Sequence, residues 1–174
     1  MNIPEVTKAR AEVIEGFIQI ETLMSSIISN YYVGRQNPFS FVFALEVLYD
    51  ENCSFGMKRN ILEKILNSIM EGADKKAAEA QFQKLFKLNK IRNLFSHCGP
   101  DIYLAKEGNG IRITPNPSNP SQRVDFDKEY QEFRKLEPEV FLWLNELLPQ
   151  IDELRQKGLQ KFYSVLTSHT PESQ

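Results

Sequence analysis

The sequence has little cysteine and no apolar run long enough to cross a bilayer. Its two cysteines, Cys53 and Cys98, form neither a metal-binding spacing nor a disulfide framework, so a reduced, cytoplasmic protein with no membrane partner is expected. The N-terminal residues are polar and charged, which predicts no secretory signal. No cluster of carboxylates, histidines or cysteines is evident, so no catalytic metal and no cofactor is expected.

An excess of positive charge is also missing. The chain has 21 Lys and Arg against 23 Asp and Glu, a formal net charge of −2 and a pI of about 5.8. A broadly basic protein that coats nucleic acid is therefore disfavoured, and any RNA contact must use a local patch. What the chain does have is 41% hydrophobic residues with 12 Phe and 6 Tyr, which is typical of a globular core. Its 174 residues predict a single domain, 1–174, without internal repeats.

Apolar residues recur at helical spacing over most of the chain. Helices are predicted from Pro4 to just before Gly34, from Phe39 to Tyr49, after an N-cap at Ser54, from a cap near Asp74 to His97, and from about Asp125 onward. Pro138 and Pro149 should split or kink the last of these. The aromatic stripes on these helices are expected to lie in the core.

Between residues 102 and 113 the period changes from helical to alternating, around Gly108-Asn109-Gly110. Asn-Gly between alternating runs is a strong hairpin signal, so a β-hairpin from Ile102 to Thr114 is predicted to turn there. The Pro/Ser-rich residues 115–122 that follow are too short for a domain linker. The predicted fold class is an all-α bundle of about four to five helices with one small inserted β-hairpin.

The end of the fourth predicted helix carries the most informative residues. Steps of three and four residues place an apolar and then polar stripe on one side of it, with a second apolar face at Leu88, Ile91, Leu94 and Phe95. The surplus stripe predicts a two-fold homodimer. Its members are Phe82, Leu85, Phe86, Asn89, Arg92, Asn93, Ser96 and His97.

The polar half of this stripe suits phosphodiester chemistry. His97 can transfer a proton near neutral pH, Arg92 offers a planar fork that matches a phosphate, and Asn93 can orient the imidazole or donate to a phosphate oxygen. RNA supplies its own nucleophile in the 2′-hydroxyl. Asn89, Ser96 and Lys90 are candidates for substrate contact. Because one chain shows only one histidine in the stripe, a dimer that joins two stripes would supply both an acid and a base.

Arg92-Asn93-x-x-x-His97 near the end of a late helix resembles the motif of the HEPN superfamily. The long first helix and the Ser54-Phe55 start of the third are also similar to that family, over roughly residues 4–165. The resemblance implies an HEPN-like bundle and metal-independent endoribonuclease activity from a composite dimeric site, leaving a cyclic phosphate. It also implies toxin, phage-defence or RNA-processing roles, with an antitoxin or defence-system protein as a partner.

Two readings of the same residues stay open at this point. Arg92 and His97 are also favourable cations for the last turn of any helix, and Asn93 could instead fix the register of a bundle through a buried hydrogen bond. Ser96 would ordinarily bond the helix backbone. The alternative function is accordingly a catalytically silent HEPN-like module that binds a protein partner or a nucleotide.

Overall fold

The computed structural model describes residues 3–97, 100–105, 108–113 and 124–168. Within it the chain forms two compact units, each made of two stretches of sequence. Unit 1 is Met1–Glu21 with Gln83–Leu142, and unit 2 is Thr22–Phe82 with Trp143–Gln174. The boundaries fall inside helices and not in the Pro/Ser-rich segment 115–122. The assignment of the whole chain to one domain stays a prediction.

The described residues are mostly helical, which confirms the all-α class. The main helices, in chain order, are α1 (Ile3–Val33), α2 (Phe39–Phe43), α3 (Phe55–Ile69), α4 (Gly72–His97), α5 (Phe126–Leu147) and α6 (Ile151–Ser168). A π-helical turn, Ala44–Leu48, continues α2, and a 3₁₀ turn, Leu148–Gln150, joins α5 to α6. No helix among the described residues is long and apolar enough to span a membrane.

Local sequence signals account for most helix ends. Gly34 ends α1 with a φ of +103°, a conformation that glycine adopts without steric cost. Ser54 caps α3 as predicted, since its hydroxyl accepts a hydrogen bond from the Met57 amide at 3.3 Å. Asp74 is not the cap of α4, because that helix already begins at Gly72.

The two prolines of the C-terminal half behave differently. Pro138 lies inside α5, which continues through it from Phe126 to Leu147, so of the predicted split or kink the split is absent there. Pro138 is exposed, and the carbonyl it leaves without a helical N–H partner is that of Arg134, also an exposed residue. Pro149 does interrupt the helix, at the 3₁₀ turn.

Unit 1 packs the first part of α1 against α4 and α5. Gly16 allows the closest approach of α1 to α5, since a Cβ built there would lie 3.0 Å from the Phe133 ring. The Phe95 and Phe126 rings meet at 4.6 Å between centroids, and the Tyr130 hydroxyl donates to a carboxylate oxygen of Glu12. The end of α4 therefore rests on a closely packed aromatic core.

Unit 1 also contains a small antiparallel sheet in the order β1 (Pro100–Ala105), β2 (Gly108–Ile113) and β3 (Val124–Asp125). Pro100 pairs with Ile113 and Ala105 with Gly108, and residues 106–107 between the two strands lie outside the described residues. The turn predicted at Gly108-Asn109-Gly110 is wrong, because all three residues pair with β1 and the ladder outweighs the local Asn-Gly preference. Thr114, the predicted end of the hairpin, lies outside the described residues. The third strand was not predicted.

Unit 2 is built on α3, α6 and the second part of α1. Gly158 lets α6 approach α1, since a Cβ there would collide with the Tyr31 hydroxyl. Phe82 and Trp143 pack edge to face at 5.7 Å between ring centroids. The most deeply buried side chains of this unit are Met24, Ile27, Ile28, Leu48, Leu62, Leu66, Leu144 and Ile151.

One aromatic stripe is not in the core. Phe41 on α2 is 68% exposed, and Leu45 and Tyr49 after it are about half exposed. The expectation that all aromatic stripes are buried is therefore wrong for the segment 39–49. Sequence alone could not show this, because an apolar helix predicts burial without saying what buries it.

Candidate functional site

Arg92 sits at the edge of the unit 1 core. Its side chain is half-buried, and its guanidinium carbon lies 5.4 Å from the centre of the Phe17 ring on α1, a cation–π arrangement. Nη1 of Arg92 donates a hydrogen bond of 3.0 Å to Oδ1 of Asn93. The guanidinium is therefore oriented on one side by an aromatic face and on the other by an amide.

Asn93 is exposed, which excludes the reading in which it is a buried residue that fixes the register of a bundle. Its contact is with Arg92 and not with the imidazole of His97. The structure brings Arg92 and Asn93 together as one hydrogen-bonded pair. Of the two roles predicted for the Asn93 amide, orienting the imidazole is not seen, since the amide contacts the guanidinium, and donation to a phosphate oxygen stays a prediction.

His97 is the last residue of α4 and is exposed. It follows Arg92 by five residues, which on a regular helix is a rise of about 7.5 Å and a rotation of about 140°. The two side chains therefore flank the polar stripe at its opposite edges, about 140° apart around the helix. Arg92 is near the core because the adjoining positions Leu88 and Phe95 are buried.

The apolar half of the stripe is not a surplus face. Phe82 is 5% exposed and Leu85 is fully buried, whereas Phe86 is 43% exposed. The motivation that sequence analysis gave for a homodimer is thereby lost, since two of its three apolar members already lie in the core of this chain.

The three candidate substrate contacts have distinct environments. Asn89 is half-buried, and Lys90 is exposed with its Nζ 4.4 Å from the centre of the Phe86 ring. The Oγ of Ser96 is buried and has no hydrogen-bond partner among the residues that the structure describes. The predicted bond from Ser96 to the helix backbone is therefore not formed.

Ser96 and Phe95 line an open groove of about 760 Å³ together with one face of α1. The α1 residues along it are Arg10, Ala11, Ile14, Glu15, Ile18 and Gln19. The groove combines an apolar lining with one cation, one anion and a buried hydroxyl. Sequence analysis did not single out Arg10 or Gln19 for the site, because no local motif links them to α4. Only the packing of α1 on α4 does.

Two further lysines of α4, Lys84 and Lys87, are paired with α5. Nζ of Lys84 lies 2.6 Å from a carboxylate oxygen of Glu139, and Nζ of Lys87 lies 2.6 Å from one of Glu132. These hydrogen bonds lower the pKa of both carboxyls below their usual range. These two ion pairs therefore neutralise part of the positive charge that α4 carries.

No group of three or more His, Cys, Asp or Glu that could hold a metal ion occurs in the described part of the chain. No protein-family model, curated protein or solved structure matches this chain at a significant level.

Proposed function

We propose that the chain is a metal-independent endoribonuclease of the HEPN type, with a composite active site at a homodimer interface. The observation that carries this proposal is the end of α4, where a guanidinium oriented by Asn93 and Phe17 stands one and a half turns from an exposed histidine. A planar, preoriented cation is suited to a phosphate, and an exposed imidazole is suited to proton transfer. The HEPN likeness of residues 92–97 supports the same conclusion.

In the proposed reaction the 2′-oxygen of RNA attacks the adjacent phosphorus, and a base accepts the proton of the 2′-hydroxyl. The bond from phosphorus to the 5′-oxygen breaks, and an acid gives that oxygen a proton. The products are a 2′,3′-cyclic phosphate and a 5′-hydroxyl. Arg92 stabilises the negative charge that grows on the phosphate oxygens. His97 from each of two copies supplies the base and the acid.

The homodimer belongs to the proposal for a chemical reason. Within one chain, Arg92 and His97 leave α4 about 140° apart, which does not suit a single phosphate held between them. Two copies related by a two-fold axis can set one chain's Arg92 beside the other's His97. Asn89, Ser96 and Lys90 would then contact the neighbouring nucleotides. Toxin, phage-defence and RNA-processing roles, and an antitoxin or defence-system protein as partner, belong to the same proposal.

The experiment is cleavage of single-stranded and structured RNA in EDTA by the wild type and by His97→Ala. Loss of a general acid or base lowers the rate by about a hundred- to ten-thousandfold. The matched control is His169→Ala, which removes the chain's other histidine and should cleave at the wild-type rate. A wild type inert on every RNA, or equal rates for His97→Ala and the wild type, would overturn the proposal.

The alternative is a catalytically silent HEPN-like module that binds a protein partner or a nucleotide. It is favoured by the net charge of −2 and by the pairing of Lys84 and Lys87 with α5, both of which weaken attraction to RNA. The same assay separates the two functions, since such a module leaves RNA intact at every protein concentration.

A further inference from the structure

The outward face of α2 and its π-helical continuation is apolar where a surface helix is normally polar. Phe41, Leu45 and Tyr49 recur every fourth residue, with Val42 beside them. We call these four residues the α2 stripe. Phe41 is 68% exposed, Leu45 50% and Tyr49 46%, whereas Leu48 on the opposite side is 1% exposed. Glu46 is the only charged residue from Phe39 to Tyr49.

The α2 stripe is held in place by bonds within unit 2. The Ser29 hydroxyl of α1 donates to the carbonyl of Ser40, and the Phe39 amide donates to Oδ1 of Asn37 at 3.0 Å. At the other end Nζ of Lys58 lies 5.2 Å from the centre of the Tyr49 ring. A surface that is already ordered loses little conformational entropy when it is covered.

The π-helical turn supports a functional reading of this segment. The Tyr49 amide donates to the carbonyl of Ala44, five residues earlier, at 2.9 Å. Such turns are rare and often lie at functional sites.

The exposed apolar area supplies part of what an interface needs. Aromatic side chains bury about 150–250 Å² each when covered, and Phe39, which begins α2 on another side of the helix, is also 67% exposed. With Tyr32, which is 55% exposed and whose ring lies 6.5 Å from that of Phe43, the apolar surface amounts to several hundred Å². A stable interface buries about 800 Å² on each partner.

The charges around the stripe point to its occupant. Arg35 stands in the turn before α2, and Asp50 and Glu51 follow Tyr49; all three are exposed. A cation at one end and anions at the other make the surface complementary to itself when two copies lie antiparallel. The acidic end and Glu46 disfavour an anionic lipid surface.

We propose that the α2 stripe is a self-association surface through which two copies of this chain pair antiparallel about Leu45. Phe41 of one copy then meets Tyr49 of the other, Leu45 meets Leu45, and the basic turn at Arg35 lies toward the acidic end at Glu51. This inference does not rest on ribonuclease activity. Its test is whether association depends on the α2 stripe, since a dimer formed through α4 alone would associate without responding to Leu45→Glu.

The first experiment is sedimentation velocity of the full chain over a concentration series, for the wild type and for Leu45→Glu. The substitution places two like charges together at the two-fold axis, and we expect the dissociation constant to rise by more than about thirtyfold, the effect of a hot-spot residue. The matched control is Val47→Glu, since Val47 is 47% exposed on the same segment but lies off the stripe. It should associate like the wild type. Circular dichroism verifies that both variants are folded.

The second experiment tests the antiparallel arrangement. Arg35→Glu alone and Glu51→Arg alone should each weaken association, and the double variant should restore it, because the exchanged charges again face their opposites. Glu51 is chosen over Asp50 because the Asp50 carboxylate already accepts hydrogen bonds from Asn52.

Three results would overturn the proposal. They are a wild type that is monomeric throughout the series, a Leu45→Glu variant that associates as tightly as the wild type, and a Val47→Glu variant that is weakened equally. Flotation of the wild type with neutral lipid vesicles, abolished by Leu45→Glu, would instead assign the stripe to a lipid surface.

Discussion

The end of α4 and the outward face of α2 are both open to solvent, but they interact with water in opposite ways. Arg92, Asn93 and His97 offer charge, hydrogen bonds and a titratable ring, all of which water solvates well. Phe41, Leu45 and Tyr49 offer apolar surface that water solvates poorly. The first surface needs no cover to be stable and is suited to a charged ligand. The second is stabilised only when a partner removes it from water.

The two surfaces also differ in how firmly their groups are held. Arg92 is fixed by Phe17 and by Asn93, whereas His97 ends its helix as an exposed side chain. The α2 stripe is anchored near each end by a contact, at Ser40 and at Tyr49. A partner can therefore cover the α2 stripe with little loss of conformational entropy. The proposed reaction at α4, in contrast, requires a partner or a substrate to complete the site.

The largest predicted effect tests the polar surface at the end of α4. Arg92→Ala should lower the rate of RNA cleavage by about a hundred- to a thousandfold, since a preorganised charge-stabilising donor is lost. The cleavage rate of Arg92→Lys should lie between those of Arg92→Ala and the wild type, because lysine keeps the charge without the planar fork. Asn93→Ala should also be intermediate, since the guanidinium loses its 3.0 Å hydrogen bond while its charge remains. Initial rates under single-turnover conditions measure all three.

Thermal unfolding supplies the control for that series. Because Arg92 packs over Phe17, Arg92→Ala should also lower the free energy of unfolding by about 0.5–1 kcal/mol. His97→Ala should change it by less than about 0.5 kcal/mol, since His97 is exposed. Equal cleavage rates for Arg92→Ala and the wild type would contradict the proposed role of Arg92 in the reaction.

The second prediction compares the two sides of α2 and its continuation. Leu48→Ala should destabilise the protein by about 2–5 kcal/mol, because a fully buried leucine leaves a cavity. Leu45→Ala should cost far less in the monomer, since Leu45 is half exposed already. Denaturant unfolding at low protein concentration measures both. Equal losses would mean that Leu45 is covered in solution without a second copy.

The third prediction concerns the support of the α2 segment by the helix that follows. Ser54→Ala should destabilise α3 by about 1 kcal/mol, because the Met57 amide loses its cap. Ser54→Asp keeps an acceptor and is the control, with stability close to that of the wild type. If Ser54→Ala also leaves stability unchanged, the cap contributes nothing measurable to the stability of α3.

Much of the secondary structure is predictable from local pattern, and much of the tertiary placement is not. The limits of α1, the cap at Ser54 and the end of α4 follow from glycine, serine and helical periodicity, which act within a few residues. The turn of the small sheet does not, because strand pairing overrode a local Asn-Gly signal. Pro138 does not split α5 either, because a helix of 22 residues continues through one lost hydrogen bond.

The site shows the same division. Arg92, Asn93 and His97 were recognised by residue type and spacing, which sequence displays directly. Their orientations were not, since the position of Arg92 over Phe17 depends on α1, far away in the chain, and the hydrogen bond from Arg92 to Asn93 depends on side-chain conformations that residue spacing does not fix. The α2 stripe was misplaced in the core because sequence records that a side chain is apolar and not whether anything covers it.

The smallest predicted effect compares two carboxyl groups on α5, one partly buried and one exposed. Burial raises the pKa of Glu137, which lies close to Gly16, whereas the hydrogen bond from Lys84 lowers the pKa of Glu139. The folded state therefore binds the Glu137 proton more tightly than the unfolded state, so that this group's contribution to stability is lost as pH rises from the ordinary glutamate pKa through the raised one. Glu139 contributes stability above its ordinary pKa, and this contribution is lost as pH falls through the lowered one.

Glu137→Gln should accordingly raise Tm by about 1–2 °C at about pH 7 and by less at about pH 4. Glu139→Gln, the matched control two residues away, should not raise Tm at the higher pH. Thermal scans of both variants at the two pH values measure the difference, and a gain from Glu137→Gln that is larger at acid pH would contradict the assigned burial.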